Sequence, residues 1–143
     1  MFTPATVLNW GPRMRQALAL GLIGLFIAAC LIVAAVALGP PPTGLMAEHD
    51  KILHASAFWA LMLLGAAAFP RCGAIAPVIG LLLGGVGIEL AQALPIIHRD
   101  ADIADVLADA CGIVLGWTSV MAIYLFWRLF RSLVRPKEAI CDD

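Results

Sequence analysis

The chemistry open to this chain rests on polar residues in three short stretches: Asp50, Lys51 and His54; Glu89 and Gln92; and Arg99, Asp102, Asp105 and Asp109. Asp102, Asp105, Asp109 and Gly112 follow one another at steps of three, four and three, which places them on one face of a helix. Asp50 and His54 are four apart, and Glu89 and Gln92 three apart, so each pair also shares a helix face. An imidazole among carboxylates can carry protons, act as general acid or base, or ligate a metal. His54, Glu89 and Asp105 are therefore the candidate catalytic groups. Asp102, Asp105, Asp109 and Glu89 are the candidate ligands for a divalent cation, the one cofactor this residue set suggests. Lys51, Arg99, Gln92 and Asp50 are the candidate substrate-binding groups, and the planar fork of Arg99 suits a phosphate or carboxylate.

The five carboxylates set against Lys51 and Arg99 leave a charge of −3 with His54 neutral. In a medium of low dielectric such an excess raises carboxylate pKa values or recruits a cation. Plainer roles compete. Asp102 suits a helix N-cap, where the helix dipole also favours negative charge. Lys51 and Arg99 suit interfacial anchors. The whole set could serve as a polar network that fixes helix packing. His49 and His98 fall in loops, where solvent exposure is the simpler expectation.

The surroundings of these residues are apolar. Of 143 residues, 62% are hydrophobic and only 13% charged, with a mean hydropathy of +0.96, whereas a soluble domain carries about 25% charged residues. The composition predicts an all-α integral membrane protein with a single membrane domain. Residues 1–16 read as an interfacial segment. Residues 17–130 read as a bundle of four transmembrane helices at about 17–38, 52–69, 74–94 and 102–130, divided by Gly39-Pro40-Pro41-Pro42, by Pro70-Arg71-Cys72-Gly73 and by Pro95. Residues 131–143 read as a cytoplasmic tail. Gly80 and Gly84 form a small-xxx-small pair of the kind that lets helix backbones approach closely.

Arg13, Arg15, Arg71, Arg128, Arg131, Arg135 and Lys137 fall on one side of a four-span topology, and Lys51 and Arg99 on the other. The positive-inside rule then puts both termini in the cytoplasm (N-in/C-in), so the three polar stretches gather at the outer side. A charge at the centre of a helix costs roughly 2.5–3.5 kcal/mol on insertion scales. Glu89 and Asp109 are therefore expected to face each other, Lys51, Arg99 or water, and not lipid.

At Asp50-Lys51-x-x-His54 with Phe58, Glu89-x-x-Gln92, and Arg99-x-x-Asp102-x-x-Asp105 followed by Gly112, the chain resembles the VanZ-like family of bacterial membrane proteins. The agreement in order and spacing covers about residues 45–117. Asp109 is a departure, because the family usually shows Asn there. The resemblance implies a small helical protein of the bacterial cytoplasmic membrane with a cell-envelope setting. The family is named for low-level teicoplanin resistance, and the resemblance supplies a motif without a reaction.

Several chemistries are excluded by what the sequence lacks. It has no HExxH helix, GxSxG elbow or Walker loop, and no basic stripe that would suit nucleic acid. Ser56 is two residues from His54 and so points to another helix face. The four cysteines form neither a CxxC pair nor a disulfide framework. Three roles remain. The first is an outer-leaflet site that binds, and in one version processes, an anionic lipid or lipid-linked envelope precursor. The second is a small accessory or structural subunit of a larger membrane complex. The third is a proton-coupled, transporter-like component, which with four helices requires a homo-oligomer.

Overall fold

The structure is a computed structural model that describes residues 11–40, 49–70, 73–97 and 101–134. Among them it is all-helical, with α1 at Pro12–Ala37, α2 at Asp50–Ala68, α3 at Ile75–Gln92 and α4 at Ile103–Val134. All four helices are long and apolar enough to cross a membrane. Local chemistry sets their ends. Pro12 opens α1 at the position where its missing N–H costs nothing. Asp50 lies in the first turn of α2, where the dipole favours it. Gly73 takes a φ of 64° in the turn to α3, a left-handed conformation that favours glycine.

Two boundaries differ from the hydropathy reading by more than two residues. Residues 12–16, expected in the interfacial segment, already belong to α1. Residues 131–134, expected in the tail, still belong to α4. Arginine is a good helix former, and a cation in a last turn suits the dipole, so the backbone continues beyond the point where composition changes. The remainder of both terminal segments, 1–10 and 135–143, lies outside the described residues.

α2 is the hub, packing on α1, α3 and most closely on α4. The closeness comes from Gly112 and Gly116, one turn apart on α4. A Cβ on Gly112 would overlap the carbonyl oxygen of Ala55, and one on Gly116 would stand 2.6 Å from Met62 Cβ. Phe58, Leu61, Met62, Leu81 and Ile113 form the buried core beside this contact. Leu20, Ile32, Leu83 and Leu115 lie exposed on the outer surface, as lipid-facing residues do. Gly80 and Gly84, the pair expected at a helix contact, meet nothing within 4 Å of a built Cβ. Their spacing matches the packing pattern, but their face is turned to an open groove between α1 and α3.

α4, with 32 residues, is the longest helix, about 48 Å against roughly 30 Å for the hydrocarbon core. Near its far end Phe126, Trp127 and Phe130 touch one another, with Phe130 stacked on Phe126 at 6.2 Å and edge-on to Trp127 at 5.9 Å.

Gly112→Ala is expected to force α2 and α4 apart at a cost of about 1–3 kcal/mol, seen as a lower thermal unfolding midpoint in detergent. Gly80→Ala, with open space around it, should be neutral or slightly stabilising. Equal behaviour of the two variants would contradict the packing described.

Candidate functional site

Alternating helix direction brings the start of α2, the end of α3 and the start of α4 to one end of the bundle. Each element positions its polar groups by its own geometry. Asp102 caps α4: its Oδ1 accepts the Ala104 N–H at 2.9 Å, while its own N–H donates to Glu89 Oε2 at 2.9 Å. The same carboxylate accepts from Lys51 Nζ at 2.7 Å through Oδ2, and Lys51 also donates to Asp105 Oδ1 at 2.9 Å. The ammonium of Lys51, and after it the capping N–H, hold the Asp102 carboxyl below the usual carboxylate range. One turn beyond Asp105, Asp109 Oδ1 lies 2.9 Å from His54 Nδ1.

The depth of these groups differs. Lys51 and Asp102 have side chains more than half exposed, whereas Glu89, Asp105 and Asp109 are 7%, 6% and 3% exposed. None of the three faces lipid. Glu89 is close enough to Asp105, His54 and Asp109 to interact with each charge. Gly85 of α3 makes room for the deepest pair, since a Cβ there would stand 2.8 Å from Asp109 Oδ2.

The metal-ligand geometry centres on His54. Among the described residues, Asp50, His54 and Asp105 each offer a ligand atom within 4.8 Å of the other two. His54 Nε2 and Asp105 Oδ2 are 3.9 Å apart, too long for a hydrogen bond. Two ligands at ~2.1 Å from one tetrahedral ion lie roughly 3.4 Å apart, so the His54–Asp105 gap is a little wider than a bound ion would set it. With the proton on Nδ1, His54 donates to Asp109 and keeps the Nε2 lone pair free toward Asp105. A carboxylate behind a ligating histidine fixes the ring and raises its basicity. Of the four metal candidates from the sequence, Asp105 belongs to this group. Asp109 instead holds the histidine, Asp102 caps the helix and binds Lys51, and Glu89 binds the Asp102 N–H. Asp50, a substrate-binding candidate, stands in this group with His54 and Asp105.

Of the catalytic candidates, His54 and Asp105 face each other, and Glu89 lies beside them on α3. Gln92 is separate: its Nε2 donates to the Ala37 carbonyl oxygen at 2.8 Å, tying the end of α3 to the end of α1. Glu89 Oε1 and Gln92 Oε1 are buried without a hydrogen-bond partner among the described residues. Lys51 is spent on two carboxylates and not held free for an anion. Arg99 and His98 lie outside the described residues. The sequence reading missed Gly85 and the Ala37 carbonyl: the first was one of several glycines in a Gly-rich span, and the second has no side chain to announce it. Ser56 Oγ donates to its own helix at Leu53 O, 3.0 Å away.

The His54 ring in nitrogen-15 NMR spectra of the neutral form is expected to show the Nδ1-protonated tautomer, and Asp109→Ala to remove that preference. An Nε2-protonated ring in the unaltered protein would overturn the orientation argument. Comparison of the chain with protein-family models, with curated proteins and with solved structures finds no match.

Proposed function

We propose that this is a VanZ-like multi-pass protein of the bacterial cytoplasmic membrane, with both termini in the cytoplasm, that binds a divalent cation near the outer surface. Through that cation it holds the anionic head group of a lipid or lipid-linked envelope precursor. The observation that carries the reading is the Asp50–His54–Asp105 group, with three ligand atoms within 4.8 Å, one of its carboxylates almost fully buried and its imidazole braced by Asp109. The cation is needed by charge. Lys51 is the one cation among five described carboxylates at this end, so an anion approaching alone meets repulsion, and a divalent ion on the triad offsets the two charges of Asp50 and Asp105. The motif order and spacing support the VanZ-like kinship. The orientation rests on Arg13 and Arg15 at the start of α1 and Arg128 and Arg131 near the end of α4.

A second reading has one observation in its favour. The row Asp109–His54–Asp105, at 2.9 and 3.9 Å, leads from a buried carboxylate toward exposed Lys51 and Asp102, as a proton relay would. Under it the protein is a proton-handling component that needs no metal.

Calorimetric titration of the detergent-solubilised protein with Mn²⁺ separates the two. Binding should weaken about tenfold or more in Asp50→Asn and His54→Ala, and by roughly 10–100-fold in Asp109→Ala. Short-chain phosphatidylglycerol should bind with Mn²⁺ present and lose about tenfold in affinity with a chelator. Lipid binding unchanged by the chelator would overturn the cation-mediated reading.

A further inference from the structure

The groove between α1 and α3 has a volume of about 580 Å³, lined by Phe26, Cys30, Phe58, Leu81 and Gly84 among other apolar residues. That is within the ~300–1,000 Å³ range of small-molecule sites. α1 and α3 both rest on α2 and have little contact of their own, so the groove is a gap that the fold leaves between them. Along α3 it extends from Ala76 to Ile88, roughly 18 Å at the helical rise. One leaflet of the hydrocarbon core is about 15 Å deep.

Its upper end lies beside the polar site. Ile88 lines the groove, Glu89 follows it, and Gln92 lies one turn on along the same face. Gln92 is 1% exposed; its Nε2 bridges to Ala37 while its Oε1 has no partner among the described residues. That acceptor belongs to the residue one turn beyond Ile88, the last groove-lining residue on α3. Phe58 joins the two regions: it lines the groove, and its Cζ stands 3.4 Å from where a Gly85 Cβ would be, a point that Asp109 Oδ2 also approaches.

We propose that this groove seats one acyl chain of a bilayer phospholipid whose head group lies at the Asp50–His54–Asp105 site. The inference rests on the function proposed above for the head group and adds the place of the tail. The glycines fit this use. Gly80 and Gly84 pack against nothing, yet they hold the groove open where larger side chains would fill it. A Cβ at Gly84 meets nothing within 4 Å, so Gly84→Leu is the variant chosen to fill the groove.

The test uses the full chain in vesicles of phosphatidylethanolamine and phosphatidylglycerol, with phosphatidylglycerol bearing a diazirine in its acyl chain as probe. Photolysis should label Cys30, Leu81 and neighbouring groove residues about tenfold above lipid-facing Leu20, Leu83 and Leu115. Gly84→Leu should lose that excess while its Mn²⁺ affinity stays unchanged. His54→Ala should lose Mn²⁺ binding, which reports on the head-group site alone. Labelling spread evenly over the apolar surface would overturn the proposal, as would groove labelling that survives Gly84→Leu. Crosslinks from the groove to a second copy of the chain, or a polyprenyl carrier retained there in native mass spectra, would also overturn it. The unaltered protein alone decides the labelling pattern, so the test stands even if the variant does not fold.

Discussion

The close approach of α2 and α4 is the contact on which the rest of the molecule depends. Two glycines one turn apart let the backbones meet, and they do so two turns below the polar end of the bundle. At that separation Lys51 reaches Asp102 and Asp105, and His54 reaches Asp109, with no long side chain needed to cross a gap. A wider spacing would leave buried carboxylates facing hydrocarbon or demand water to fill the space. Packing and charge pairing are thus one constraint.

The polar end is graded in depth. Outermost is an exposed ion pair that also caps a helix, then a buried carboxylate bound by the same lysine, then a histidine clamped by a still deeper carboxylate. Each group is held by the one beside it. α3 joins this row through Glu89 and joins α1 through Gln92, so one helix face of four residues serves two neighbours. The division matters because α1 contributes no ionisable group to the site and yet borders the apolar space beside it.

The spans were legible in the sequence because hydrocarbon demands unbroken apolar runs, and proline and glycine interrupt these ones cleanly. The gathering of His54, Glu89 and Asp105 was legible too, since spacing fixed each face and alternating direction fixed the end. Pairings were not. Asp102, Asp105 and Asp109 share a face and a chemical type, and which of them meets the lysine and which the histidine depends on the offset between two helices. That offset is set by Gly112 and Gly116. Glycine spacing was misleading where it was most regular: Gly80 and Gly84 have the right interval, but no neighbour lies opposite. Interval encodes what a face could accept, and only the tertiary arrangement decides what it receives.

The excess length of α4 bears on more than its own tilt. With about 48 Å of helix against roughly 30 Å of hydrocarbon, its aromatic trio of Phe126, Trp127 and Phe130 lies about 35–40 Å from the first residue, past that thickness, and aromatic rings favour the lipid carbonyl zone. Such a collar sets the height at which the whole bundle floats. Because the acids at the opposite end ride on the same rigid rod, bilayer thickness becomes a variable of the site: a thicker membrane draws those acids inward, a thinner one lifts them toward water.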